Sequence, residues 1–125
     1  MYFCGSKRPD NIGNEDIFIS DNEQGEWGKP KLLRELSTPQ YNEAVISIST
    51  DGTQMIYFRE GIIYYSEKSF GGWSQGVSVS DYINSGEWTG DAWITGDGKA
   101  LIFAAVRSEG MNYYTQQNAN LGVYH

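Results

Sequence analysis

A tryptophan, an aspartate-glycine turn and a strand-closing serine each occur twice in this chain at one spacing. Trp27 and Trp73, Asp51 and Asp97, and Ser20 and Ser66 are all 46 residues apart. A fixed period of roughly 20–50 residues marks a repeat architecture, in which one supersecondary unit is copied and neighbouring copies bury a shared core. The period therefore outranks any local reading of secondary structure.

The middle unit is the clearest copy. Ala44 to Ser49 alternates apolar and polar residues, the period of a half-buried strand. Thr50-Asp51-Gly52-Thr53 is a turn, because Gly52 tolerates positive φ and Asp51 can bond its own backbone. Met55-Ile56-Tyr57-Phe58 is a second strand whose unbroken apolar character predicts burial on both faces. Glu60-Gly61 leads into a third strand, Ile62 to Tyr65, and Phe70-Gly71-Gly72 turns the chain again. Trp73 then opens a fourth strand, Gln75 to Val79. Four antiparallel strands in a unit of this length match one propeller blade. The 15 glycines fit such a turn-rich, all-β chain.

The same unit lies over the rest of the sequence. Met1-Tyr2-Phe3 matches Met55-Ile56-Tyr57, Asp16 to Ser20 matches Ile62 to Ser66, and Trp27-Gly28-Lys29-Pro30 matches Trp73 to Gly76. Residues 1–43 thus form a blade without its first strand, with an inserted loop from Lys7 to Glu15. Residues 44–90 form a complete blade and 91–125 a truncated one. In this last unit Ala92 to Thr95 and Leu101-Ile102-Phe103 are the first two strands. Tyr113-Tyr114-Thr115 is either the third strand or part of an insertion, and the polar Gln116 to Asn120 favours insertion. Lys31 to Leu36 has helix-like composition but is too short to stand alone, and the repeat makes it a strand. The expected fold is all-β, with antiparallel four-stranded blades of a β-propeller, about two and a half of them in an incomplete ring.

A blade cannot bury both faces alone, and closure takes about four to eight blades. The expectation is therefore a piece of a longer propeller, the remaining blades coming from the same longer chain or from self-association.

The arrangement of apolar strand, Asp-Gly turn, aromatic strand, Asp-Ile-aromatic-Ile-Ser and Trp-Gly-x-Pro resembles the TolB-type, WD-like β-propeller repeat. Ser49-Thr50-Asp51-Gly52, Met1-Tyr2-Phe3 and Asp16 to Ser20 stand where that family has Ser-Pro-Asp-Gly, Leu-Tyr-Phe and Asp-Ile-Tyr-Val-Ser. The turn proline is missing, with Thr50 and Gly96 in its place, and Ile62 stands where Asp is usual. The resemblance implies a bacterial envelope or surface protein, periplasmic or extracellular, although Met1 to Cys4 leads directly into a strand with no signal peptide in this chain.

Charge and cysteine content exclude several functions. A net charge of −7 disfavours nucleic acid and anionic lipid. Cys4 is the only cysteine, so neither an intrachain disulfide nor a cysteine-based zinc site can form, and it is expected to pack beside Phe3 as a small hydrophobe. No run approaches the ~20 apolar residues of a membrane span. No cofactor is implied.

Candidate chemistry is judged against the repeat. Gly72-Trp73-Ser74-Gln75-Gly76 fits G-x-S-x-G, but the repeat mate of Ser74 is Gly28 and the one histidine is His125. Asp10, Asn11, Asn14, Glu15 and Asp16 are hard oxygen donors suited to Ca²⁺, without EF-hand spacing, which leaves Asp10, Asn14 and Asp16 as weak metal candidates. Glu43, Asp51, Asp91 and Asp97 could supply a glycosidase pair, yet Asp51 and Asp97 are repeat equivalents and read as turn formers. The sialidase-type Asp-box is not met, because Asp51-Gly52 is followed by Thr53-Gln54-Met55. Trp27 and Trp73 recur and read as packing residues. Trp88 and Trp93 have no aromatic equivalent in the middle unit, where Asn42 and Ser47 stand, and so are the candidate ligand-binding aromatics. The expectation is a non-catalytic module binding a protein or glycan. The alternative is part of a propeller enzyme, either a glycosidase or the gating propeller of a serine peptidase with its catalytic domain elsewhere.

Overall fold

A computed structural model describes residues 1–79, 81–84, 88–106 and 121–124, with Tyr82, Trp88, Val106 and 121–124 as backbone only. The first sheet joins β1 (Tyr2–Ser6), β2 (Glu15–Ile19) and β5 (Lys31–Leu32), and a small ribbon of β3 (Asn22–Glu23) and β4 (Glu26–Trp27) extends from it. The second sheet contains β6 (Glu43–Ile48), β7 (Gln54–Arg59), β8 (Ile62–Ser69) and β10 (Val77–Ser78) as a meander, with β9 (Gly72–Trp73) folded back on β8. The third contains β11 (Trp88–Ile94), β12 (Leu101–Val106) and β13 (Leu121–Tyr124). One short helix, α1 (Asp81–Asn84), lies between the second and third sheets in sequence. All strand pairings are antiparallel. The fold is all-β, made of several small antiparallel sheets.

The sheets pack face to face through two apolar seams. Between the first and second lie Ile17, Leu33 and Leu36 against Met55, Tyr57 and Trp73. Between the second and third lie Ile56 and Ile63 against Ala92, Ile94, Phe103 and Ala105, with Ile83 of α1 closing one side. Strand β7 therefore sends Met55 and Tyr57 to one seam and Ile56 to the other, with Phe58 packed against the latter. Its continuous apolar run is buried on both faces, as its pattern predicts. Strand β6 touches β1 and β2 on one side and β11 on the other, so all three sheets meet along it.

The register repeats with the sequence. Ile48 pairs with Met55 and Ile94 with Leu101, while Ser47 pairs with Ile56 and Trp93 with Ile102. Both first strands then carry a bulge, between Val45 and Ser47 in β6 and between Thr89 and Ala92 in β11. The bulge explains how Val45 and Ile48, three positions apart, reach the same seam.

Several expectations need correction. The segment Lys31 to Leu36 is a strand only over Lys31–Leu32; Arg34 to Leu36 form a turn that seats Leu36 in the core. Trp73 does not lead straight into the fourth strand: β9 pairs with the extension of β8, and β10 starts at Val77. Strand β11 begins at Trp88, ahead of Asp91. Its third strand is Leu121–Tyr124, after a long connection, while Tyr113-Tyr114-Thr115, Gln116 to Asn120 and His125 lie outside the described residues. Cys4 is exposed instead of packed beside Phe3; alternation along β1 places it on the opposite face, opposite Ile17. Partial desolvation and the Glu15 and Asp16 charges push its thiol pKa up, which disfavours the reactive thiolate.

Candidate functional site

The two Asp-Gly turns share a set of hydrogen bonds, to which Asp51 adds one from Thr53 Oγ1 at 2.7 Å. Asp51 Oδ1 accepts from Ser49 Oγ at 2.6 Å and from the Thr53 amide at 3.0 Å; Asp97 Oδ1 accepts from Thr95 Oγ1 at 2.6 Å and from the Lys99 amide at 3.1 Å. The amides of Gln54 and Ala100 each donate to the strand-closing hydroxyl of Ser49 or Thr95 at 3.0 Å. Gly52 and Gly98 take φ of 74° and 71°, a region that favours glycine. These bonds hold both carboxyls below their ordinary pKa, led by Ser49 for Asp51 and by Thr95 for Asp97. Each carboxylate organises its own turn.

Ser74 has a similar structural explanation. Ser66 Oγ donates to the Ser74 carbonyl at 2.7 Å, and Ser20 Oγ donates to the Gly28 carbonyl at 2.7 Å, one repeat earlier. The Ser74 hydroxyl accepts from the Glu67 amide at 3.1 Å and lies 3.2 Å from Ser66 Oγ. A nucleophile elbow needs a strained strand-to-helix turn, whereas Ser74 follows the short hairpin strand β9.

The remaining carboxylates divide between core and surface. Glu43 is fully buried and accepts from Arg59 Nε at 2.9 Å and from Thr38 Oγ1 at 2.7 Å. Arg59 also lies over the rings of Tyr57 and Tyr64. The ion pair joins β6 to β7 within the second sheet, and the Thr38 hydrogen bonds to Glu43 tie it to the connection from the first. Asp16 is also fully buried, and it accepts from Asn11 Nδ2 at 2.6 Å and from the amides of Ile12 and Gly13 at 2.9 and 3.0 Å. Its lone pairs are directed at donors, so it shapes the inserted loop from within. Asp10 is 3.4 Å from Arg8 Nε. Among the described residues no group of three acidic, histidine or cysteine side chains is arranged for a metal.

Repeat mates can meet different environments. Trp73 is 5% exposed and stands edge-on to Tyr2 of the first sheet, whereas Trp27 is 57% exposed. The expectation that both are packing residues therefore holds for Trp73 and not for Trp27. In the described residues, the face carrying Trp27 has no sheet against it. Trp93 is 67% exposed. The backbone of Trp88 pairs with Val106 at the start of β11, and its side chain lies outside the described residues.

A feature that sequence reasoning missed is an open cleft of about 410 Å³ between the second and third sheets, lined in part by Glu15, Asn42, Glu60, Thr89 and Asp91. Glu60 has φ of 49° and accepts from the Asn42 amide at 2.8 Å, which fixes one wall. Its lining residues come from three separate units, so no local motif announces it. The only available signal was that Asn42, Thr89 and Asp91 break the repeat.

Compared with known proteins, the chain matches no family model, no curated protein and no solved structure. Among the described residues, no helix is long and apolar enough to cross a membrane.

Proposed function

We propose that this chain is a run of β-propeller-type blades serving as a non-catalytic binding or scaffolding module. The observation that carries the reading is the set of hydrogen bonds that the Asp51 and Asp97 turns share on two stacked sheets. A unit copied with its hydrogen bonds intact is a scaffold element, and partner contacts then fall where copies differ. Those positions include the cleft beside Asn42 and Asp91 and the exposed Trp93. The partner class is protein or glycan, and the TolB-type resemblance supports an envelope or surface setting. Ser74, Glu43, Asp51 and Asp97 all serve the fold itself, which favours binding over catalysis.

The test is twofold. Chromogenic esters and glycosides should show no turnover by the purified chain. Turnover removed by Ser74→Ala or Asp91→Asn would overturn the non-catalytic reading. Titration with soluble oligosaccharides should quench tryptophan emission if the partner is a glycan, and Trp93→Ala should remove the quenching. An unquenched titration removes the glycan arm and leaves a protein partner.

A further inference from the structure

The inner edge of β1 has no strand beside it among the described residues, whereas its counterparts β7 and β12 are covered there by β6 and β11. Two bonds fix which backbone groups face that edge. The Met1 ammonium donates to the Ser20 carbonyl at 2.7 Å, and the Ser20 amide donates to the Met1 carbonyl at 2.9 Å. Antiparallel pairs alternate between bonded and non-bonded, so Phe3–Phe18 and Gly5–Asp16 are the next bonded pairs. Tyr2, Cys4 and Ser6 therefore aim their amides and carbonyls away from β2. Strand β7 divides its groups in the same way. The Lys68 amide donates to the Thr53 carbonyl at 2.7 Å, which leaves Ile56 and Phe58 to bond β6 opposite Ser47 and Ala44. Tyr2 and Cys4 stand at the repeat positions of Ile56 and Phe58.

The other edges of the first two sheets are blunted. Strands β5, β9 and β10 are each two residues long, and β5 opens on Lys31 directly after Pro30. Strand β6 is bulged between Val45 and Ser47. Short length, lysine, proline and bulges all discourage a further strand. Strand β1 runs for five residues, Tyr2 to Ser6, without a charge, a proline or a bulge. Cys4 is exposed where its counterpart Phe58 packs into the second seam.

The covered copies also define what fits. The Ile94 amide of β11 donates to Ser47 Oγ of β6 at 3.0 Å, so the inner strands of these adjacent sheets touch through a hydroxyl. Ile48 is the repeat mate of Ile94. A strand beside β1 with a hydroxyl at the Ser47 position, opposite Tyr2, meets the Ile48 amide in the same way.

We infer that β1 accepts an extended peptide, antiparallel and in the register of β6 on β7, with apolar residues flanking a serine or threonine opposite Tyr2. Main-chain bonds to Tyr2, Cys4 and Ser6 supply affinity, and the hydroxyl supplies register. The inference rests on the repeat reading of the preceding subsection and narrows its partner to an extended peptide.

The probe is a dye-labelled synthetic peptide with the sequence Glu43 to Thr50, titrated into the full chain. Saturable binding by fluorescence anisotropy is expected, and NMR amide exchange at Tyr2, Cys4 and Ser6 should slow at least about 10-fold. Cys4→Pro removes one outward amide without touching the pairing to β2, and should weaken binding at least about 10-fold. Ser47→Ala in the peptide should weaken it by about 3–10-fold. A peptide N-methylated on the amides that face β1 should not bind, which keeps the test intact if Cys4→Pro fails to fold. The absence of saturable binding, or binding that protects other amides and spares these three, overturns the inference. So does a chain that is dimeric alone with these amides already protected, since a second copy then fills the edge. The Tyr2–Trp73 ring contact separates these failures from that of the repeat reading. Where that contact persists as a nuclear Overhauser cross-peak, only the peptide inference falls. Where it is absent, the repeat reading falls as well.

Discussion

Trp73 stands edge-on to Tyr2 across the seam between the first two sheets, with ring centroids 5.7 Å apart and planes at 84°. Its repeat mate Trp27 lies on the exposed β3–β4 ribbon. One residue type at one repeat position therefore has two energetic roles. Trp73→Ala should cost about 3–5 kcal/mol, as expected for a buried aromatic. Trp27→Ala should change the stability of the isolated chain by no more than about 0.5 kcal/mol. Denaturant melts at low protein concentration check both; equal losses would contradict the seam.

The aspartate turns give a pH dependence with a defined sign. Both Asp51 and Asp97 have folded pKa values below the unfolded one, so their contribution is present above the unfolded pKa of about 3.9 and is lost as pH falls through the folded value. Stability should drop as the solution is acidified below about pH 4. Asp51→Asn and Asp97→Asn should each flatten that drop, Asp51→Asn the more strongly, because Asp51 also accepts from Thr53 Oγ1 at 2.7 Å. Urea midpoints measured from pH 2 to pH 7 provide the check.

Gly76 leaves room for the Tyr57 hydroxyl, which an added Cβ would strike. That hydroxyl is buried without a hydrogen-bond partner among the described residues. Desolvation pushes the Tyr57 pKa up to about 12. Gly76→Ala should destabilise by about 1–3 kcal/mol through overpacking. In a Tyr57→Phe background the same change should cost much less, and a double-mutant cycle in urea measures the coupling.

The Glu43–Arg59 pair is a buried charge pair, so removing one member leaves the other uncompensated. Glu43→Ala should destabilise by about 3–5 kcal/mol. Replacing both with apolar residues of similar volume should recover much of the loss, since desolvation of the pair nearly cancels its attraction. Thermal melts of the single and double variants distinguish this from a simple cavity effect.

The all-β character, the turns and the doubly buried strand β7 were legible because they depend on local chemistry. Asp-Gly requires a turn, and an unbroken run such as Met55 to Phe58 is tolerated where both faces are covered. The difference between Trp27 and Trp73 was not legible, because burial depends on which sheet lies opposite and not on the residue itself. The short hairpin at β9 was hidden for a related reason: Trp73 pairs backward with Lys68, a choice made by the Phe70-Gly71-Gly72 turn. Cys4 was misread because its neighbour Phe3 suggested packing, while strand alternation places the two on opposite faces. The cleft at Asn42 and Asp91 could not be found locally, since it forms only where three units meet.

The stacking of copied sheets is tested most directly by nuclear Overhauser contacts across the first seam. Cross-peaks between the Tyr2 ring and the Trp73 indole are predicted, with no counterpart from Tyr2 to Trp27. Absence of the Tyr2–Trp73 contact in a folded sample would contradict the stacked-repeat account.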